Sequence, residues 1–463
     1  MSQKPQNNCR YIARVTIQFE TAFIVGSEGD LFFDDVFVSD ANGLPALPGS
    51  SLAGILRHAW ADAGYEGEFS IFGYQSGDKG CGSRLSVSWG CIHDSQDRPV
   101  EGIIPDAAVI ANDKVLSEAK ITTARDHVSI GHKGTAKDSG KFDERSVSAG
   151  HRFSFELMLE GDTGDADNWN KLQSLLCSDS IRIGGKTRRG YGQFKVVKLR
   201  CACFDLTTEE GFSSFCALPV SLKDEARLAE TVIAEMAPDS NQVTATLKLE
   251  PEGFWMIGGG FDGEVDMAPL KANRIVWKDG KGGVESNRAI LTGSAVKGAI
   301  AHRTAFHYNR LTGVFADSGI DPQACTGTAN KAVSVLFGFE KKDKTGQRGR
   351  VLISDLFIEN PGVQKVLNHV SIDRFTGGAR TLEGALFDEK PYYGGQAFLL
   401  NVSITEADRI QENTVRQAFA AALEDLAGGR LAIGAGAGRG NGYFKGETTW
   451  NNAGKAWLAG GNQ

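Results

Sequence analysis

Five short blocks of sequence occur twice along this chain, in the same order. FIVGSEGDLFFDD from Phe23 lies against WMIGGGFDGEVDM from Trp255, which sets Asp30 opposite Asp262 and Asp34 opposite Asp266. Then come two turns, LPGSSLAG from Leu47 and LTGSAVKG from Leu291, followed by IFGYQSGDKGCGSRLSVS from Ile71 and LFGFEKKDKTGQRGRVLIS from Leu336. The fourth pair begins HVSI, at His127 and at His369. Each half closes on a glycine-rich loop, IGGKTRRGYGQF from Ile183 and IGAGAGRGNGYF from Ile433. Ordered recurrence over this distance predicts two copies of one fold, with loops that have changed length around an unchanged core.

Within one copy the pattern reads as a strand (YIARVTIQFET; VTATLKLE), a loop with the aspartates, the turn and a first helix, and a hairpin-like middle. A second helix (WNKLQSLLC; NTVRQAFAAALEDL), the glycine loop and a last strand (QFKVVKLR; YFKGETT) complete it. This order predicts an α+β sandwich whose sheet is covered by helices on one face, leaving the open face or edge loops for a ligand. The 463 residues divide into a first domain over 10–205, an acidic linker over 206–242 and a second domain over 243–450.

The net charge of −7 opposes nucleic-acid binding only if charge is spread evenly, and it is not. Residues 181–200 carry seven basic side chains and no acid, whereas 201–242 carry eight acids. Within the acidic stretch, DEARLAETVIAEM reads as an amphipathic helix. No apolar run approaches the roughly 20 residues of a membrane span, and MSQKPQNNCR lacks the apolar core of a secretory signal, so a cytoplasmic protein is expected. Eight cysteines without a CxxC pair argue against a disulfide framework or a four-cysteine zinc site. Cys81, Cys91 and His93 form a weak metal trio, and idle thiols are the better reading.

The paired turns, the FG…SRL block, the HVSI hairpin and the terminal RRGYGQF loop together resemble the RAMP superfamily of CRISPR-associated proteins. In particular, the chain is similar to backbone subunits of type III effector complexes, as two fused copies in a III-D-like arrangement. The resemblance implies tandem modified RRM-like (ferredoxin-like) domains, each with a thumb β-hairpin that displaces a nucleotide of the guide–target duplex. It implies as partners a CRISPR guide RNA, a single-stranded target RNA and other type III effector subunits, and no membrane. It also implies divalent-metal-dependent cleavage of target RNA, with Mg2+ or Mn2+ held at Asp34 and Asp266. Asp30 and Asp262 are secondary candidates, Asp35 points the opposite way from Asp34, and one of the two sites is open to being inactive.

Ser50, Ser51 and Arg57 in the first copy, and Ser294 and Lys297 in the second, are placed to cap a helix or meet a phosphate. In the loops, Lys186, Arg188, Arg189 and Arg439 can reach RNA phosphates over glycines that let the backbone come close. A nucleotide-binding P-loop is excluded at GGKT because Ser180 stands where its first glycine is required. His127 and His369 lack a partner at fixed spacing and read as structural or stacking residues. Phe142, Phe375, Phe387, Tyr392 and Tyr393 could wedge against bases or pack the hairpins. A non-catalytic RNA-binding backbone is the alternative function, and a guide-RNA-processing ribonuclease a weaker third.

Overall fold

The computed structural model describes residues 7–27, 36–131, 134–224, 226–232, 242–315, 319, 321–340, 346–380 and 386–460. In the first half the elements run β1 (Cys9–Phe19), α1 (Gly49–Asp62), β2 (Leu85–Val87), a hairpin of β3 (Thr123–Ile130) and β4 (Ala136–Ser146), β5 (Arg152–Gly161), α2 (Ala166–Leu176) and β6 (Phe194–Asp205). The second half begins with β7 (Val243–Pro251). A hairpin of β8 (Lys271–Lys278) and β9 (Lys281–Leu291) precedes α3 (Gly293–Leu311) and β10 (Val351–Ile353). A second hairpin of β11 (Leu367–Val370) and β12 (Leu386–Glu389) leads to β13 (Phe398–Ile404), α4 (Asn413–Ala427) and β14 (Phe444–Trp450).

The two sheets have one topology. The first runs β6-β1-β5-β2 and the second β14-β7-β13-β10, with antiparallel neighbours throughout. In each, two strand–helix–strand units interleave, so that the first strand lies between the third and fourth; this is the ferredoxin-like order. The helices bury one stripe each on the sheet: Leu52, Leu56 and Trp60 of α1, and Val415, Phe419, Ala422 and Leu426 of α4. Each half has its own apolar core, one built around Phe19, Phe153 and Trp60, the other around Trp255, Phe419 and Phe444.

The opposite faces of the sheets differ. In the first half, Phe215, Leu218 and Leu228 of the linker pack on Ile12 and Phe204. Buried Arg14 pairs with Glu156 at 2.9 Å and donates to the carbonyls of Pro219, Ser221 and Asp224. The face expected to stay open is therefore closed there by the acidic linker. The helix read into DEARLAETVIAEM is not found in its described part, where Ala229–Glu230 instead forms a short edge strand beside Arg200 and Cys201. The linker's helix lies earlier, at Glu209–Cys216.

The halves meet through interlocked elements. Ile275 and Trp277 of β8 donate to the carbonyls of Ala149 and Gly150, both at 2.8 Å, and the Arg152 guanidinium lies 4.4 Å from the Trp277 ring. Deeper in the seam, Nη1 of Arg125 on β3 lies 2.5 Å from Oδ2 of Asp355, with both side chains at most 5% exposed. Oδ1 of the same carboxylate accepts from the backbone of Gly293 at the start of α3.

Candidate nucleic-acid interface

Asp266 lies in an exposed loop beside the base of the β11–β12 hairpin. Its N–H donates to Oδ1 of Asp388 at 2.8 Å, and the N–H of Asp388 donates to Oδ2 of Asp266 at 3.1 Å. This reciprocal clasp fixes two carboxylates side by side and leaves each a second, unclasped oxygen. Asp262 is used locally: Oδ1 accepts from the N–H groups of Glu264 and Val265, which hold its carboxyl below the usual range. Asp30, Asp34 and Asp35 lie outside the described residues. Asp388 escaped the reading of the sequence, although its signal was in view, since FDE occurs in both hairpins, at Phe142 and at Phe387.

Next to the aspartates, each hairpin carries the same four-residue cluster. In the first half, Glu144 Oε2 lies 3.2 Å from His127 Nε2, the His127 ring stacks on Phe142 at 5.2 Å, and Arg189 both pairs with Glu144 and lies over Phe142. In the second, Glu389 Oε1 lies 3.1 Å from His369 Nε2, His369 stacks on Phe387 at 4.7 Å, and Arg439 pairs with Glu389 and lies over Phe387. Strand register explains the match: His127 faces Phe142 across one hairpin and His369 faces Phe387 across the other. Burial alone would raise the Glu144 carboxyl, but the His127 ring nitrogen beside it and the charge of Arg189 outweigh it and hold the group below the usual range. The histidines thus have the carboxylate partners that the sequence did not reveal.

The glycine loops end beside these clusters, so Arg189 and Arg439 join loop to hairpin while remaining 41% exposed. Lys186 also approaches Glu144, at 3.7 Å. Gly192 and Gly442 have φ of 77° and 81°, and a Cβ on either would enter the carbonyl oxygen of Ile183 or Ile433. The first role of these glycines is therefore to close the loop tightly.

The paired turns do not use their serines as helix caps. Helix α1 has Pro48 at its N-cap with no side-chain cap, so neither Ser50 nor Ser51 caps it. Helix α3 is capped by Thr292 rather than Ser294, and Asp355 occupies the Gly293 N–H. The glycines of both turns are needed for packing, since a Cβ on Gly49 or Gly293 would strike the carbonyl of Val87 or Ile353 at the end of β2 or β10. Arg57 pairs with Glu68 at 2.7 Å and lies by Phe69, tying α1 to the next turn of chain. Arg188 and Lys297 lie at the seam, with Lys297 Nζ donating to the Arg188 carbonyl at 3.0 Å.

Among the aromatic residues, Phe375 is 96% exposed at the hairpin tip, whereas Tyr392 is buried against Trp255. Cys81 is exposed, and His93 is engaged by Asp97 and Ser154. No described helix is long and apolar enough to cross a membrane.

A comparison with curated proteins finds no match. The family model of the RAMP superfamily matches residues 16–195 and again residues 248–445, each match running from within the first strand of one sheet, through its hairpin and glycine loop, to the start of its last strand. The chain belongs to the RAMP superfamily, and carries its domain twice.

Proposed function

We propose that the chain is a backbone subunit of a type III CRISPR effector complex, binding guide RNA along both domains and cleaving target RNA beside the hairpins. Membership of the superfamily points to a CRISPR-associated RNA-binding subunit. The observation that carries the finer reading is the position of Asp266, clasped to Asp388 at the foot of a hairpin whose same strand, at the adjoining Glu389, meets the glycine loop through Arg439. The hairpins are read as the thumbs of modified RRM-like domains, and the partly exposed cations Lys186, Arg189 and Arg439 as phosphate contacts. Exposed Phe375 is suited to stack on a base pushed out of line.

Cleavage requires the target's 2′-hydroxyl to align with the adjacent phosphate, and splaying the strand at the thumb supplies that alignment. Carboxylates as a class are weak bases, so the role assigned to Asp266 is to orient the hydroxyl or hold a cation. The donor set fits a hard divalent ion: Asp266 and Asp388 offer carboxylate oxygens, and Mg2+ or Mn2+ takes one or two carboxylates together with phosphate oxygens and water. Such an ion would stabilise charge on the phosphate. Arg439, pinned by Glu389, keeps the loop beside the thumb and presents its remaining donors to the strand. In the first half Asp34 is assigned the same role.

The test is to substitute Asp34→Ala and Asp266→Ala separately and resolve the target fragments. Loss of one cut with each substitution is expected. Unchanged cuts with RNA binding intact would make the chain a non-catalytic backbone, with cleavage done elsewhere in the complex.

A further inference from the structure

The internal seam docks the rear of one domain on the front of the next, and the same two surfaces stand free at the ends of the chain. In the seam, Arg125 of the first hairpin meets Asp355, which stands four residues after the start of β10. Gly190 of the first glycine loop lies beneath Asp355 and accepts from its N–H at 3.1 Å. The carbonyls of Ala149 and Gly150 clasp β8.

Strand register identifies the counterparts of these residues. Arg125 faces Glu144 across the first hairpin as Leu367 faces Glu389 across the second, and the two glutamates hold the same place in the repeated clusters. Trp89 stands four residues after the start of β2, as Asp355 does after β10. Gly440 matches Gly190 in the closing loops, and Gly394 and Gly395 follow Glu389 as Ala149 and Gly150 follow Glu144. The front of the first half therefore carries Trp89, and the rear of the second half carries Leu367 and Gly440.

Both ends are open, and their chemistry has changed together. Trp89 is 55% exposed; Gly440 is exposed and a Cβ on it would meet nothing, whereas Gly190 is buried. The charged pair of the seam is replaced by an apolar residue on each side. The clasp has changed too. At the rear, the Gly394 carbonyl accepts from Trp255 Nε1 at 3.1 Å, the Asn360 carbonyl accepts from the Gln396 N–H at 3.0 Å, and Val363 pairs with Tyr393. The second half thus fills with its own chain the place where Ala149 and Gly150 receive β8. At the front, the described residues offer only a tight turn over Val38–Ala46 where the second half has the long β8–β9 hairpin. A rear that needs no hairpin matches a front that presents none, and an apolar side chain matches an apolar one. A thumb bearing arginine in place of Leu367 would find no carboxylate at Trp89, which selects against it.

We propose that the rear of this chain docks on the front of a second copy, with Leu367 packed against Trp89 where the internal seam has Arg125 against Asp355. A head-to-tail contact of this kind leaves one front and one rear unused, so copies add in a row. Nothing in the junction calls on RNA, and it goes beyond the RNA-binding reading.

Sedimentation velocity of the whole, nuclease-treated chain across the micromolar range tests it. The native chain is expected to associate as concentration rises. Trp89→Asp at the front and Leu367→Asp at the rear should each weaken association about tenfold or more, as loss of a central anchor does. Neither residue belongs to an apolar core, so both variants are expected to fold, and each tests the junction without the other. The double variant Trp89→Asp, Leu367→Arg rebuilds the seam's charged pair across the junction and should recover most of the loss. A native chain that stays monomeric would overturn the junction, as would association that survives both single substitutions, or a double variant no better than Trp89→Asp alone. RNA binding measured in parallel keeps the two readings apart. Association without affinity for single-stranded RNA would refute the RNA reading and leave the junction standing, and RNA binding by a strict monomer would do the reverse.

Discussion

Replacing Arg125 by Met should destabilise the chain more than any surface substitution, and should do so by loosening the two halves. The guanidinium and the Asp355 carboxylate are 2.5 Å apart, with side chains 5% and 0% exposed. Burial pushes the Asp355 carboxyl up, opposed by the charge of Arg125 and by the Gly293 N–H at 2.8 Å. Removing Arg125 strands a carboxylate with a single backbone donor, and breaking such a buried pair costs about 3–5 kcal/mol. Against a total stability of about 5–15 kcal/mol this is a large share. The double variant Arg125→Met with Asp355→Leu should recover most of the loss, because two desolvated charges disappear together. It should retain a deficit of about 1–3 kcal/mol from the unpaired Gly293 N–H. Urea unfolding at equilibrium on the four proteins of this cycle gives the coupling energy directly. A single-variant loss below about 1 kcal/mol, or strict additivity in the double variant, would refute the claim that this pair holds the seam.

Further outcomes follow from the same geometry. His151 is fully buried and its pKa is pushed down to about 3 by desolvation, so the unfolded chain takes up a proton first as pH falls below about 6.5. Stability should fall by up to about 4 kcal/mol between pH 6.5 and 3, and His151→Gln should flatten that part of a pH–stability curve. Asp425 joins Arg303 and His307 of α3 to Arg430, and although burial opposes it, these hydrogen bonds and charges lower its carboxyl to about 2. Its stabilising effect is present above about pH 3.8 and lost toward pH 2; Asp425→Asn should cost about 2 kcal/mol at pH 7 by calorimetry. Gly442→Ala places a Cβ against the Ile433 carbonyl at positive φ and should cost about 2 kcal/mol or more, detectable as a lowered urea midpoint. Arg189→Ala and Arg439→Ala should each reduce the slope of log affinity against log salt for single-stranded RNA by about 0.7.

Most of the paired elements were legible because every block could be read twice. The strands at Tyr11 and Val243 and the helices around Trp169 and Val415 fall where alternation and helical spacing put them. What duplication could not show is what only one half possesses. The long β8–β9 hairpin stands where the described residues of the first half show only a tight turn over Val38–Ala46, and Arg125 and Asp355, 230 residues apart, meet only because the halves dock. The failed helix in the linker has a physical cause: Leu228 inserts beside Ile12 and Phe204, and the adjoining Ala229–Glu230 completes a sheet edge. Helical spacing of apolar and acidic residues was present there, but tertiary burial chose an extended chain. The capping role read for the serines of the two turns is not found, and close approach to β2 and β10 demands the preceding glycine whether or not an anion binds.

A doubled domain that holds RNA through its two loops should co-purify with it. Expressed with a CRISPR array and purified with its complex, the native chain should carry RNA ending in repeat sequence, and the double variant Arg189→Ala, Arg439→Ala should carry markedly less. Native chain free of nucleic acid, or equal RNA on both proteins, would contradict it.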